Sequence, residues 1–246
     1  MRMFCYQCQE AARNEGCTIQ GVCGKQDSTA GFQDLLIHTL KGIAWYAHRL
    51  KDPEAREKAG RFLVKGLFST ITNGNFDNNR FLQLIDEGLT LRKYLAHQYV
   101  ESPYYKAMEE KPDAAVWFAK DPEILRLKAS RVGVLSTTDL DLRSAREFLI
   151  YGLKGIAAYT HHAEVLGYMD PDIGSFLVEA MNATLLPLSL EEMKGLLLRA
   201  GEVAVLAMAL LDKANTHTYG NPEITEVNLG VRENPGILVS GHDRTT

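Results

Sequence analysis

The chain has 246 residues, a formal net charge of −4, 46% hydrophobic residues and 24% charged residues. These proportions exclude disordered, collagen-like and coiled-coil proteins, and a slightly acidic chain is a poor candidate for wrapping nucleic acid or anionic membranes. The longest apolar stretch near the C-terminus, residues 203–211, is less than half of a membrane span, and the N-terminus has no apolar signal core. The sequence therefore predicts a cytoplasmic protein without nucleic-acid or membrane partners.

The four cysteines all fall within the first 23 residues, in a segment that shows neither a helical nor a strand period. They are Cys5, Cys8, Cys17 and Cys23, with the spacing Cys-x2-Cys-x8-Cys-x5-Cys. Disulfides are disfavoured in a reducing compartment, and four thiolates in a compact loop suit a tetrahedral metal ion or an iron–sulfur cluster. The spacing alone leaves an iron–sulfur cluster, structural zinc and free thiols open.

Helical periodicity begins near residue 29. Apolar residues recur at three- and four-residue steps from Leu35 to Leu50, which gives one apolar face. Asp52 and Pro53 then read as an N-cap followed by proline at the first helical position. The pattern predicts three helices, over residues 29–50, 53–72 and 77–97.

The segment over residues 100–130 carries three prolines and many charges, and it predicts short helical pieces and a connector. The apolar residues 132–135 then predict a short strand.

The helical pattern of the first unit returns after residue 139 as an internal repeat. Residues 36–48 align with residues 149–161, and nine positions are unchanged: Leu36, Ile37, Leu40, Lys41, Gly42, Ile43, Ala44, Tyr46 and His48. The repeat predicts two tandem three-helix units, over residues 29–98 and 139–214. Glycine is costly inside a helix, so its recurrence at Gly42 and Gly155 predicts close helix approach at both places.

The C-terminal part changes character. Residues 215–225 predict a loop, and residues 236–240 predict a buried strand that is followed by Gly241-His242-Asp243. A lone buried strand leaves its backbone groups unpaired. We therefore expect the chain to be a truncated piece of a longer protein, with the first strand or strands of an α/β domain at its end.

Several motifs together resemble one known family, the hybrid cluster proteins, also called prismane proteins or hydroxylamine reductases. The resemblance covers the whole chain except residues 244–246. The segments that carry it are Met3-Phe4-Cys5-Tyr6-Gln7-Cys8-Gln9-Glu10, Gly16-Cys17-Thr18, Gly21-Val22-Cys23-Gly24-Lys25, Leu35-Leu36-Ile37, residues 66–73, residues 218–225 and residues 236–243.

The resemblance implies two cofactors. In the branch with short cysteine spacing, Cys5, Cys8, Cys17 and Cys23 match the ligands of a [4Fe–4S] cluster. A hybrid Fe–S–O cluster lies between the family's domains, and His242 matches its first ligand in chain order. This chain has no cysteine after Cys23, so we expect that it does not build the hybrid cluster by itself.

The resemblance also implies a function, the two-electron reduction of hydroxylamine to ammonia and water, with nitric oxide reduction in nitrosative stress as a related role. The 246 residues alone are expected to be inactive, and the electron donor is unknown. A non-catalytic electron-transfer or zinc-binding helical module and a purely structural helical fragment remain alternatives. The predicted fold is mainly α. It begins with a cysteine-rich cluster-binding loop (residues 1–28) and a first three-helix unit with its connector (residues 29–130). A second three-helix unit (residues 131–225) and the start of an α/β domain (residues 226–246) follow.

Overall fold

A computed structural model of the chain describes residues 3–8, 10–71, 74–226, 228–231 and 233–237. Within these residues the fold consists of helices and their connections, and no β-strand occurs among them, so the mainly α prediction is confirmed. The α-helices are α1 (Asp27–Leu50), α2 (Pro53–Ser69), α3 (Asn78–Glu101), α4 (Asp113–Val116), α5 (Pro122–Ala129), α6 (Leu140–Val165), α7 (Pro171–Ala183) and α8 (Leu190–Tyr219). None of the described helices combines the length and the apolar character needed to cross a membrane.

The helices begin where the sequence places capping residues. The Asp52 side chain accepts a hydrogen bond from the Ala55 backbone at the start of α2, and Asp170 does the same for the second residue of α7. Ser189 and Glu192 form a capping box at the start of α8. These side chains satisfy backbone donors that have no partner inside the helix, and the start of α2 predicted at Pro53 is confirmed.

The two repeated units pack with an approximate twofold relation. Helix α1 packs against α3 as α6 packs against α8, and α1 contacts α7 as α2 contacts α6. At the centre of this arrangement α2 meets α7, where Gly60 lies against its repeat equivalent Gly174. A Cβ atom added to Gly60 would lie 2.8 Å from the Gly174 Cα. The units share one continuous apolar core that includes residues of both copies.

The repeated glycines of α1 and α6 differ in their surroundings. A Cβ at Gly42 would overlap with the backbone carbonyl of Ala114 in α4, so the predicted close approach is confirmed there. At Gly155 nothing described lies within 4 Å of an added Cβ, so the same prediction is wrong for the second copy. The physical reason is that the first unit is followed by the α4 connector, which folds back onto α1, and α6 has no counterpart to it in the described residues.

Three other local predictions need correction or fall outside the described residues. The predicted strand over residues 132–135 is wrong, because Val134–Ser136 form a 3-10 turn and no described segment pairs with it. The predicted loop from residue 215 begins later, since α8 continues to Tyr219 and ends where Gly220 adopts a φ of 86°. Of the predicted strand over residues 236–240 only residues 236 and 237 are described, and residues 238–240 and His242 lie outside the described residues.

The connector between the units is fastened to α1 by a small polar network. His38 of α1 contacts Asp113 at the start of α4, with 2.8 Å between Nε2 and Oδ2, and Lys128 of α5 donates to both Asp113 carboxylate oxygens. Arg92 of α3 donates to the backbone carbonyls of Ala114 and Trp117. These contacts tie α4 and α5 to the first unit.

Burial lowers the pKa of His38 to about 4, and the opposing attraction of Asp113 is too weak to restore it. The imidazole is therefore neutral in the folded chain at pH 7, whereas it becomes protonated below about pH 6.5 in the unfolded chain. Because the folded-state pKa is depressed, this contribution to stability is present above pH 6.5 and is lost as the pH falls towards 4, to a total of about 3 kcal/mol.

We therefore expect His38→Gln to reduce the loss of unfolding free energy between pH 7 and pH 4.5 in urea titrations. The glutamine keeps a donor for Asp113 and does not titrate. His97→Gln is the matched control, because the His97 side chain is 74% exposed. An equal pH dependence in the parent chain and in H38Q would contradict the assignment.

Candidate metal centre

A backbone clamp holds two of the cysteines side by side. Cys5 N–H donates to the Cys17 carbonyl at 3.0 Å, and Cys17 N–H donates back to the Cys5 carbonyl at 2.8 Å. This pair is an isolated antiparallel bridge. The Cys17 side chain is buried with Met3 and Ala30, so the clamp fixes one thiol on the inner side of the loop.

Glycines shape the loop where a side chain would not fit. Gly16 adopts a φ of 125°, and a Cβ there would lie 2.7 Å from the Phe4 ring. The turn around Cys23 is closed by two hydrogen bonds, from Gly21 N–H to the Lys25 carbonyl and from Gly24 N–H to the Gly21 carbonyl, each 2.8 Å long. A Cβ at Gly21 would lie 3.0 Å from the Cys23 sulfur. Only glycine permits the chain to wrap this closely around its thiols.

One buried cation points at the loop. The Lys25 side chain is 1% exposed, and its Nζ lies 3.8 Å from Cys5 Sγ and 2.8 Å from Gln33 Oε1. Burial raises the pKa of the Cys5 thiol, and the positive charge of Lys25 opposes that rise. A cation beside a thiol favours the thiolate, which is the form that binds metals.

Helix α6 of the second unit places Tyr151 near Cys5 and Cys8 of the loop. Burial raises the pKa of the Tyr151 hydroxyl, with further contributions from Glu147, Cys5 and Cys8. Lys154 is 7% exposed, and its Nζ donates to the Thr70 carbonyl at 3.3 Å. Burial lowers the pKa of Lys154 to about 8, against the attraction of Asp34 and Glu147.

The repeat brings four charged side chains together behind the loop. Asp34 and Lys41 of α1 occupy the positions that Glu147 and Lys154 occupy in α6, each pair seven residues apart. Burial and the Glu147 carboxylate raise the pKa of Asp34 to about 7, and the neighbouring lysines oppose this rise. Asp34 also lines a cavity of about 400 Å³ that extends between the cysteine loop and the connector. The duplication therefore places two acid–lysine pairs at the junction of the two units.

The donor set fits an iron–sulfur cluster. All four cysteines are free thiols, the surrounding loop offers glycine backbone, and Lys25 supplies a positive charge. Among the described residues no three His, Cys, Asp or Glu side chains group tightly enough to hold one metal ion. Four cysteine thiols match the ligand number of a cubane cluster, in which each iron takes one thiolate. They also match the ligand number of a tetrahedral zinc site.

The structure places the four sequence-predicted cysteines in one loop, with Cys17 buried, Cys5 and Cys8 partly buried and Cys23 exposed. Sequence reasoning missed Lys25, Asp34, Tyr151 and Lys154 as parts of the site. The recurrence of lysine at positions 41 and 154 was the available signal, because a lysine repeated within apolar helices is unusual.

Comparison with known proteins identifies the relatives of this chain. Residues 3–246 match the sequence profile of the Prismane/CO dehydrogenase family. The chain is 50% identical to a hydroxylamine reductase of Nitratidesulfovibrio vulgaris, over 98% of this chain and 44% of the relative. It is 51% identical to a hydroxylamine reductase of Halothermothrix orenii, over 99% of this chain and 45% of the relative. The chain spans slightly less than half the length of these curated relatives, and it belongs to the prismane/CO dehydrogenase family.

Proposed function

We propose that this chain forms the electron-entry part of a cytoplasmic hydroxylamine reductase. In this proposal Cys5, Cys8, Cys17 and Cys23 hold a [4Fe–4S] cluster, and the parent reaction is NH2OH + 2 e⁻ + 2 H⁺ → NH3 + H2O. The relatives are hydroxylamine reductases, which supports hydroxylamine as the substrate, and nitric oxide is a second substrate to test. When bound, the cluster supplies storage and transfer of one electron at a time.

The observation that carries the proposal is the construction of the cysteine loop. The reciprocal backbone bonds between Cys5 and Cys17 fix two thiols relative to each other, and Lys25 places a buried positive charge at one of them. A purely structural loop has no need of a buried ammonium beside a thiol, because burying an unpaired charge costs several kcal/mol. In this proposal a negatively charged metal–thiolate centre supplies Lys25 with a direct counter-charge.

The exposure of the thiols suggests a direction for electron entry. Cys17 is 4% exposed and faces the interior, whereas Cys23 is exposed at the surface. Ile19 and Val22, which precede Cys23 in the chain, are 90% and 65% exposed. We propose that the external donor approaches the Cys23 side and that Cys17 lies on the protein side of the cluster.

The second centre needs ligands beyond the ones in this chain. His242 is proposed as the first ligand of the hybrid Fe–S–O cluster in a full-length protein. No cysteine follows Cys23 in the 246 residues, so the soft ligands that such a centre requires are missing here. The isolated chain should therefore accept electrons without turning over hydroxylamine.

An anaerobic assay with reduced methyl viologen tests whether the chain accepts electrons without reducing hydroxylamine. We expect the absorbance of the chain near ~400 nm to bleach and recover reversibly, while hydroxylamine-dependent viologen oxidation stays at the level of a Cys17→Ala control. Hydroxylamine turnover well above that control would contradict the proposal that the chain accepts electrons without reducing hydroxylamine. A colourless preparation with one zinc per chain would contradict the cluster itself and favour the zinc-binding module.

A further inference from the structure

Lys25 is a buried cation that makes no direct ion pair among the described residues, although it lies near enough to Asp34 to oppose the rise in the pKa of that carboxyl. It is 1% exposed, and among the described residues no carboxylate lies within ion-pair distance of its Nζ. Its near contacts are the neutral amide oxygen of Gln33 at 2.8 Å and the sulfur of Cys5 at 3.8 Å. Buried charges in proteins are normally paired or bound to metal centres. A buried ammonium without a direct ion pair therefore indicates that an anion binds close to it.

The side chain of Lys25 is held in this position by a relay of hydrogen bonds. Gln33 is fully buried in α1, and its Nε2 donates to the backbone carbonyl of Asn75 at 3.5 Å. This bond orients the amide so that its oxygen faces Lys25. The ammonium is therefore aimed at Cys5 by packing and hydrogen bonding, and it is not free to turn towards solvent.

We propose that Lys25 is a positioning residue that compensates the negative charge of the cluster and sets its reduction potential. This inference rests on the proposed [4Fe–4S] cluster. Each electron added to a thiolate-ligated cluster increases its negative charge, and a fixed cation nearby stabilises the reduced form more than the oxidised form. Hydrogen bonds to the sulfurs and net charge are among the factors that set cluster potentials. Lys25 supplies a hydrogen-bond donor and a positive charge at Cys5.

The other charges near Lys25 do not replace it. Lys41 and Lys154 interact with Asp34 and Glu147, which the repeat places beside them, and none of these four residues belongs to the cysteine loop. Lys25 stands apart because it belongs to the cysteine loop itself and contacts a proposed ligand directly. Its removal should change the charge at the cluster while leaving the acid–lysine pairs in place.

The test is an anaerobic redox titration of Lys25→Met, Lys25→Gln and Lys25→Arg with dithionite and mediator dyes. Electron paramagnetic resonance measures the reduced cluster at each potential. The reduction transfers one electron from dithionite and forms or breaks no bond in the protein. We expect the ratio of reduced to oxidised cluster at a fixed potential to fall about tenfold or more in K25M and K25Q, which is 59 mV or more for one electron. K25R should stay close to the parent chain.

Lys194→Met is the matched control, because it removes the same charge from an exposed side chain of α8 and should leave the potential unchanged. Equal potentials in the parent chain, K25M and K25Q would overturn the inference. If the neutral variants fold but do not load iron, loading of K25R supports the charge role, and failure of K25R overturns it. Absence of iron from the parent chain would instead overturn the proposed cluster, so the two failures are distinguishable.

Discussion

Replacing Cys17 with alanine should lower the iron bound per chain by about tenfold or more and abolish the absorbance near ~400 nm. Cys17 is buried at 4% exposure, and its backbone is tied to Cys5 by two hydrogen bonds. It is therefore the proposed ligand whose position the fold controls most tightly. Changes outside the first ligand shell already cost 10–100-fold in metal affinity, so loss of a ligand should cost at least as much.

Met3→Ala is the matched control for Cys17→Ala. Met3 is 5% exposed and packs with Cys17 and Ala30 in the same small apolar cluster, so its truncation disturbs packing more than the cysteine change does and removes no ligand. M3A should keep most of its iron. Iron analysis of both variants after anaerobic purification tests whether Cys17 is a ligand. A C17A chain that holds as much iron as the parent would show that it is not.

Gly42→Ala and Gly155→Ala should change stability in opposite directions, although the repeat makes the two positions equivalent. A methyl group at Gly42 would overlap with the Ala114 carbonyl and lie 2.9 Å from Arg92 Cδ. It would also disturb the hydrogen bond from Arg92 to that carbonyl, which is 2.7 Å long and buried. Overpacking against backbone, together with a strained buried hydrogen bond, should destabilise the chain by about 3 kcal/mol or more.

At Gly155 an added methyl group meets nothing within 4 Å in the described residues. The gain in helix propensity should then stabilise the chain by up to about 1 kcal/mol. Urea unfolding followed by far-UV circular dichroism measures both variants. Equal destabilisation by the two substitutions would contradict the packing difference between α1 and α6, and so would a neutral G42A.

Much of the helical fold follows from local signals in the sequence. The starts of α2, α7 and α8 are set by Asp52, Asp170 and Ser189, whose side chains cap free backbone donors, and capping is legible in a single sequence. The repeat further predicts that two similar units exist. How the two units pack is seen only in the structure, in the shared core and the Gly60–Gly174 contact. This packing depends on contacts between residues that are distant in the sequence. The domain boundaries at residues 28, 130 and 225 stay predictions.

Two of the wrong local predictions, the strand over residues 132–135 and the close approach at Gly155, share one cause, which is the contacts made by distant parts of the chain. Residues 132–135 are apolar enough for a strand, but Gly133 lies against the Asp34 carboxylate and the segment turns there. Gly155 repeats Gly42 in sequence, yet the close contact at Gly42 comes from α4, which follows only the first unit. Periodicity and composition contain no information on such partners.

The cysteine spacing predicted the candidate site, but its charged surroundings were not predicted. Lys25 is adjacent to the cysteines in sequence, and only its burial and its contact with Cys5 distinguish it from a surface lysine. Tyr151 and Lys154 come from the second unit, more than 120 residues from the loop. Residues that reach a site through the packing of separate helices leave no local signal.

The central claim is that four cysteines of this chain hold one [4Fe–4S] cluster. The most direct test is a count of iron, acid-labile sulfide and zinc per chain in protein that is purified and reconstituted without oxygen. The account predicts about four irons and about four sulfides, with no stoichiometric zinc. One zinc per chain without sulfide, or about two irons with two sulfides, would contradict it.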